Sequence, residues 1–97
     1  MKYIKNYNNF TLQDAVHECI KQWAVEGYDN ELQRLSDFED MAYGGGNIDS
    51  LSEDVIEFLV TNTDFDINFL KENKDEIVKY MSEQAKIEMP FIINFNE

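Results

Sequence analysis

Apolar residues in this chain recur every three or four positions and are interrupted by glycine, a pattern that restricts the fold to short amphipathic helices. Thr11 precedes the first such stretch and Asp14 follows three residues later, which is typical of a capping box. Gly27 favours termination. The pattern predicts a helix from about 12 to 26, whose apolar face consists of Leu12, Ala15, Val16, Cys19, Ile20 and Trp23.

Two further helices have start and stop signals of the same kind. Asp29 or Asn30 can cap the second helix, and "GGG", residues 44–46, ends it. Ser50 and Glu53 form another capping pair, which predicts a third helix from about 51 to 61. The apolar face of the second helix carries Leu32, Leu35, Phe38, Met41 and Ala42, and that of the third carries Val55, Ile56, Leu59 and Val60.

The last helical stretch is predicted with one interruption. Thr63 or Asp64 can open it, a break is expected near Asn73, and the helix then continues to about 86. Its apolar positions are Phe65, Phe69, Leu70, Ile77, Val78, Met81 and Ala85.

Both tails are predicted to be extended. Pro90 is expected to stop helical structure, and "FIINF", residues 91–95, is short, apolar and β-prone. The segment 2–7 contains Tyr3, Ile4 and Tyr7, so the two tails are predicted to pair as a small ribbon; the alternative is that residues 91–95 pair with another chain. The predicted fold class is mainly α, with four to five short helices in one domain, residues 1–97, and a helical region of about 12–86.

Chain length and cysteine content limit the setting in which the protein works. Ninety-seven residues suffice for one small core. The single cysteine, Cys19, cannot form an internal disulfide and lies among apolar helical positions, which favours a reducing environment. The N-terminus lacks the apolar run of a signal peptide, and no apolar run is long enough to cross a bilayer. We expect a soluble, cytoplasmic protein.

The segment "NTDFDINFLKEN", residues 62–73, places Asp64, Asp66 and Asn68 at alternate positions, as a calcium loop of the EF-hand kind begins. That loop needs glycine at its sixth position, where this chain has Phe69, and phenylalanine cannot easily adopt the glycine conformation. Solvating the neighbouring apolar side chains would also cost roughly 1.5–3 kcal/mol each. The prediction is a helix N-terminus with favourably placed acids, without a metal or another cofactor.

Residues suited to catalysis do not form a recognisable set. His17 and Cys19 are two positions apart and therefore lie on different helix faces. "GGGN", residues 44–47, lacks the lysine and hydroxyl residue of a phosphate loop. Twenty carboxylates produce close pairs by chance, and none is set apart in an apolar pocket. We expect that the protein is not an enzyme.

Negative charge is concentrated in the middle of the chain. The formal net charge is −12, beyond the roughly 2 to 8 units that suffice for solubility. From Glu26 to Asp66, twelve acidic residues stand against Arg34 alone, whereas the other 56 residues hold eight acids and seven bases. The twelve are the predicted partner-binding residues: Glu26, Asp29, Glu31, Asp37, Glu39, Asp40, Asp49, Glu53, Asp54, Glu57, Asp64 and Asp66.

The spacing of these acids suggests what they bind. Asp37 and Asp40 are three apart and Glu53 and Glu57 four apart, which places each pair on one helix face about 5 to 6 Å apart. Duplex DNA presents about one negative charge per 3.4 Å along each strand. We therefore expect the chain to occupy the channel of a basic nucleic-acid-binding protein or a ribonucleoprotein nuclease complex, and to repel nucleic acid and anionic membranes.

The tracts "LSDFEDMAY" and "LSEDVIEFL", within a short, acidic, mostly helical chain, resemble the small anti-restriction and anti-CRISPR proteins of bacteriophages, several of which are DNA mimics. The order "IKQWA", "YGGGNI", "VIEFLV", "TDFDINFL" and "KDEIVKYM" is similar to an uncharacterised family of small phage and bacterial proteins. The resemblance implies a protein of the host bacterial cytoplasm that blocks a nuclease.

Two alternative functions also agree with this acidic composition. The acids would only solubilise a protein-interaction module, which associates as a homodimer through aromatic surface or through the C-terminal strand. Otherwise, the chain would neutralise a basic toxin by the same electrostatic attraction.

Overall fold

Five helices make up most of the described part of the chain. The computed structural model describes the backbone of residues 11–95 and the side chains of residues 11–92. The helices are α1 (Leu12–Glu26), α2 (Glu31–Tyr43), α3 (Ile48–Asn62), α4 (Ile67–Glu72) and α5 (Lys74–Phe95). The mainly α fold class and the number of helices are confirmed. The predicted N-terminal extended segment, residues 2–7, lies outside the described residues.

The boundaries of α1 and α2 follow from local capping. Thr11 Oγ1 accepts a hydrogen bond from the backbone N–H of Asp14 at 3.1 Å. Asn30 caps α2 in the same way, accepting from the backbone N–H of Gln33 at 3.0 Å. Gly44 ends α2 with a left-handed φ of 75°, which glycine adopts without the steric cost of a Cβ. Both predicted helices are confirmed.

The start of α3 was predicted three residues too late. The helix begins at Ile48, so Ser50 lies inside it and does not cap it. Thr63, a predicted cap for the next helix, instead ends α3, where its hydroxyl donates to the backbone carbonyl of Leu59 at 2.6 Å.

The cap of α4 was also misplaced in the prediction. Asp66 holds that position, and its carboxylate accepts from the backbone N–H groups of Asn68 and Phe69 at 3.0 and 3.3 Å. This confirms the interpretation of the segment as a helix N-terminus. The break near Asn73 is also confirmed, since it separates α4 from α5.

The prediction that residues 91–95 are extended is wrong. The last helix, α5, continues beyond its predicted end at 86 and includes both Pro90 and residues 91–95. Proline inside a helix costs about 3 kcal/mol. Met89 and Ile92 are only 6% and 5% exposed, and burying each of two such side chains contributes about 1.5 to 3 kcal/mol. They continue the buried stripe of α5, which begins with Ile77, Met81 and Ala85. Residues 91–95 are therefore helical and do not form the strand on which the predicted ribbon and the predicted pairing with another chain both depend.

α5 is the central element, since it contacts each of the other four helices. α1 and α2 pack along it, and α3 packs on α1, α2 and α5. All five helices contribute to one hydrophobic cluster, whose largest fully buried apolar side chains are Val16, Cys19, Ile20, Phe38, Met41, Val55, Leu59, Leu70, Ile77 and Met81. This packing leaves one side of α3 and of α4 in solvent.

Candidate partner-binding surface

Nine of the twelve predicted partner-binding carboxylates are exposed to solvent. Asp37 is buried, and Glu31 and Asp40 are half-buried. The exposed carboxylates come from the end of α1 and its turn into α2, from α2 and α3, and from the loop before α4. They are Glu26, Asp29, Glu39, Asp49, Glu53, Asp54, Glu57, Asp64 and Asp66.

The carboxylates of Glu53, Asp54 and Glu57 form what we call the α3 acidic cluster. Partial burial, followed by repulsion from Glu57, Asp37 and Glu53, raises the pKa of Asp54 above its ordinary value of 3.8. Both causes disfavour the ionised form. Folding therefore brings a carboxylate of α2 close enough to the α3 acidic cluster to act on it, although the two segments are well separated in sequence.

Asp37 lies inside the fold, with 6% of its surface exposed. Its Oδ2 accepts a hydrogen bond from the Tyr28 hydroxyl at 2.7 Å, and its Oδ1 accepts from Gln33 Nε2 at 2.9 Å. Burial and the bond to Asp37 raise the pKa of Tyr28 well above 10, so the phenol stays a donor. The exposed row expected from Asp37 and Asp40 is therefore not observed.

Arg34, the one cation between Glu26 and Asp66, is turned inward and is 8% exposed. Its Nη1 donates to both carboxylate oxygens of Glu31, at 2.8 and 3.0 Å, and its Nη2 donates to the Tyr28 carbonyl at 3.3 Å. These are charge-assisted internal bonds. The segment consequently presents carboxylates to solvent without a cation of its own among them.

Lysines from the C-terminal part of the chain approach one side of this surface. Lys74 Nζ lies 3.6 Å from Asp49 Oδ1. Lys71 and Lys74 also line a groove together with Glu53 and Glu57. Two lysines, from α4 and from the start of α5, therefore lie beside carboxylates of α3.

Three side chains of types that can ligate a metal or act as a nucleophile take part in contacts inside the fold. Asp66 caps α4, and His17 Nε2 lies 3.0 Å from Glu83 Oε1. Cys19 is completely buried, which raises the pKa of its thiol. Among the side chains described, no group of three or more His, Cys, Asp or Glu residues is arranged to hold a metal ion.

The sequence patterns failed to identify the apolar side chains that lie in solvent. Leu32 and Val60 belong to predicted apolar faces but are 75% and 40% exposed. Phe69, Ile87 and Phe91 are exposed as well. Helical spacing alone could not identify them, because burial depends on which other helices pack against each face of a helix.

No family model, curated protein or solved structure matches the chain. Among residues 11–95, no helix combines the length and hydropathy that a membrane span requires. What the surface can bind therefore has to follow from its own charges and shape.

Proposed function

We propose that this protein is a non-enzymatic inhibitor that occupies the basic nucleic-acid channel of a bacterial defence nuclease complex. The inward orientation of Arg34 is the observation that carries this proposal. With that guanidinium bonded to Glu31 and Tyr28, the segment from Glu26 to Asp66 exposes nine carboxylates and no cation of its own. Such a surface suits a protein that normally binds phosphates through lysine and arginine.

Partial burial of Asp54, together with repulsion from Glu57, Asp37 and Glu53, gives a physical reason for binding. The raised pKa of Asp54 shows that its ionised form is disfavoured in the free protein. A cationic surface docked against the cluster would favour that ionised form and would lower the pKa of Asp54 in the complex. Arginine on the partner can bind a carboxylate through two parallel hydrogen bonds, as it binds a phosphate.

Competition is the expected mode of inhibition. Because carboxylates and phosphates need the same cations, the chain and a nucleic acid cannot occupy the channel together. Electrostatic attraction also speeds association and weakens steeply with ionic strength. The resemblance to phage anti-restriction and anti-CRISPR proteins supports a bacterial nuclease as the partner.

The direct test compares two triple variants that change the charge equally. One neutralises the α3 acidic cluster, as Glu53→Gln, Asp54→Asn and Glu57→Gln. The other neutralises three exposed acids outside the segment from Glu26 to Asp66, as Glu72→Gln, Asp75→Asn and Glu76→Gln. Each purified chain is immobilised, a nuclease-treated bacterial lysate is applied at low salt, and bound proteins are eluted with a salt gradient and assayed for DNA and RNA binding.

We expect the wild-type chain and the matched control to capture a nucleic-acid-binding protein, to release it below about 0.5 M salt because the interaction is screened, and to be displaced by duplex DNA or RNA. The cluster variant should lose this capture while keeping its helical circular dichroism. Capture that survives the cluster substitutions, or that nucleic acid does not displace, would remove the proposal. Capture of a basic toxin without nucleic-acid competition would favour neutralisation instead.

A second candidate function, a module that associates through apolar surface, is favoured by one end of the molecule. Val25 and Phe91 are 77% and 69% exposed and line a groove of about 700 Å³ at the ends of α1 and α5. Association there would be insensitive to salt, because burial of apolar surface is not screened. Sedimentation velocity at 0.1 and 0.5 M salt distinguishes the two, since a dimer that persists at high salt and is lost in Phe91→Gln supports the module.

A further inference from the structure

A groove of about 500 Å³ lies between α3 and the α4–α5 pair, and we call it the α3–α4 groove. Its apolar lining comes from Ile56, Val60 and Ile67. Val60 and Ile67 are 40% and 43% exposed, whereas Ile56 is 6% exposed. A partner side chain placed between them would remove this apolar surface from water, which favours association.

The two walls of the groove carry opposite charge. Glu53 and Glu57 project from α3 on one side, and Lys71 of α4 and Lys74 of α5 lie on the other. Lys74 is also 3.6 Å from Asp49. The groove therefore complements an occupant that has cations along one edge, anions along the other and apolar side chains between.

The length of the groove along α3 corresponds to two helical turns. Glu53 and Val60 are seven residues apart, which is two turns of α3 and about 10 Å at 1.5 Å per residue. Glu53 and Glu57 are one turn apart, so cations spaced four residues apart on a parallel or antiparallel helix would meet both. Helices pack by inserting side-chain ridges into grooves of this kind.

We infer that the α3–α4 groove is a docking site for an amphipathic helix of a partner protein, with leucine or isoleucine anchors between a lysine- or arginine-bearing flank and an aspartate- or glutamate-bearing flank. This interaction goes beyond the proposed function, since it uses apolar contacts and lysines that a nucleic-acid mimic does not need. Glu53 and Glu57 take part in both surfaces. Val60 and Ile67 belong to the groove alone, which allows the two to be tested separately.

The probe is a synthetic peptide of about sixteen residues, which is long enough to form a helix. A covalent link between side chains on the face turned away from the groove holds it in the helical conformation. Leucines at helical spacing form its apolar stripe, with lysines on one flank and glutamates on the other. Two control peptides keep the leucines and carry glutamates on both flanks or lysines on both flanks. Binding to the full-length chain is measured by fluorescence anisotropy, and the bound surface is mapped from backbone amide NMR shifts.

At about 0.5 M salt, where the general attraction of the lysine peptide to the acidic chain is screened, we expect saturable binding of the mixed-charge peptide, at least about tenfold tighter than that of either control peptide, which corresponds to about 1.4 kcal/mol. The largest amide shifts should fall on residues 53–61 and 67–74. Val60→Gln combined with Ile67→Gln should weaken binding about tenfold through loss of apolar contact. The control variant, Val25→Gln with Leu32→Gln, changes two apolar residues that are more exposed and lie outside the groove, and it should leave binding unchanged.

Several results would overturn the inference. These are equal affinity for all three peptides, shifts outside the groove, or unchanged affinity in the Val60 and Ile67 double variant. Concentration-dependent shifts of the groove residues without peptide would show that a second copy of the chain occupies it instead. The nucleic-acid competition of the proposed function depends on the α3 acidic cluster and should survive the Val60 and Ile67 substitutions, so failure of one proposal can be told from failure of the other.

Discussion

Two regions of the molecule shift the pKa of a carboxyl group in opposite directions. They are the surface formed by α2 and α3 and the contact between α1 and α5. In the first, Asp54 has like-charged neighbours, and partial burial and their repulsion raise its pKa. In the second, Glu83 of α5 accepts a hydrogen bond from Gln13 Nε2 at 3.1 Å and lies 3.0 Å from His17 Nε2. These hydrogen bonds lower the pKa of Glu83 from its ordinary 4.5.

The difference shows where negative charge is stabilised by hydrogen bonds inside the molecule and where it is not. Residues of α1 stabilise the ionised form of Glu83 across the helix contact, so that carboxylate has a structural role. Among residues 11–92, no side chain donates a hydrogen bond of this kind to the α3 acidic cluster, and the cation of its own segment, Arg34, is turned toward Glu31. Carboxylates without internal compensation are the natural candidates for intermolecular contact.

The largest expected effect comes from removing the one cation of the acidic segment. Arg34→Met should lower the free energy of unfolding by about 2 kcal/mol, because it leaves Glu31 without its buried partner and the Tyr28 carbonyl without a donor. The loss should be below that of a fully buried pair, since the Glu31 side chain is 32% exposed. Urea unfolding measures it, and Lys21→Met, which changes an exposed cation, should shift stability by less than about 0.5 kcal/mol.

Substitution of Asp37 should have an intermediate effect. Asp37→Ala leaves the Tyr28 hydroxyl and Gln33 without their acceptor, which alone costs about 1 to 3 kcal/mol. Relief of the repulsion with Asp54 opposes this loss, so we expect a net destabilisation of about 1 kcal/mol. Asp37→Asn keeps an acceptor for Tyr28 and should cost less.

The Asp37→Asn variant also tests the effect of the Asp37 charge on the pKa of Asp54. With the Asp37 charge removed, one cause of the raised pKa of Asp54 is absent, and the side-chain carboxyl titration followed by NMR should move toward 3.8. An Asp54 titration that does not move in Asp37→Asn would show that the two carboxylates are not electrostatically coupled.

Neutralising one acid in each region should change stability in opposite directions. Asp54→Asn removes a like-charge contact and should raise the free energy of unfolding by about 0.3 kcal/mol at low salt. Glu83→Gln weakens the bonds with Gln13 and His17 and should lower the melting temperature. Paired thermal unfolding of both variants provides the measurement, and shifts of the same sign would contradict the comparison.

The smallest expected effect is the change of stability with pH that follows from the shifted pKa values of Asp54 and Glu83. The folded-state pKa of Asp54 is raised, so its ionisation reduces stability at neutral pH, and this loss disappears as pH falls through the raised pKa toward 3.8. The folded-state pKa of Glu83 is lowered, so its contribution is complete above 4.5 and is lost as pH falls through the lowered pKa.

Thermal unfolding between about pH 7 and pH 3 should therefore show the benefit of Asp54→Asn and the loss from Glu83→Gln both approaching zero at the acidic end. A benefit of Asp54→Asn that grows on acidification would mean that the sign assigned to Asp54 is wrong.

Most of the fold could be predicted from local sequence, with specific exceptions. The cap at Thr11 was predicted correctly, and the structure selects Asn30 from the two predicted caps of α2 and Gly44 from the predicted stop at residues 44–46, all of which are local interactions. Pro90 misled the prediction, since the local cost of proline is visible in sequence while the burial of Met89 and Ile92 depends on their contacts in the folded core.

For the candidate site, the sequence could predict only the amino-acid composition of the acidic segment. The count of acids from Glu26 to Asp66 and the single Arg34 are properties of the sequence. The burial of Asp37, the approach of Lys74 to Asp49 and the exposure of Val60 and Ile67 are not, because they depend on which side of each helix faces α5.

The sequence by itself therefore determined a helical chain with a strongly acidic middle, because helix caps, helical periodicity and formal charge depend on residues close together along the chain. Only the tertiary structure decided which carboxylates are satisfied internally and which face solvent. Burial and Coulomb interactions depend on distances through space, and here those distances are set by helices that pack around α5 from far apart in the sequence.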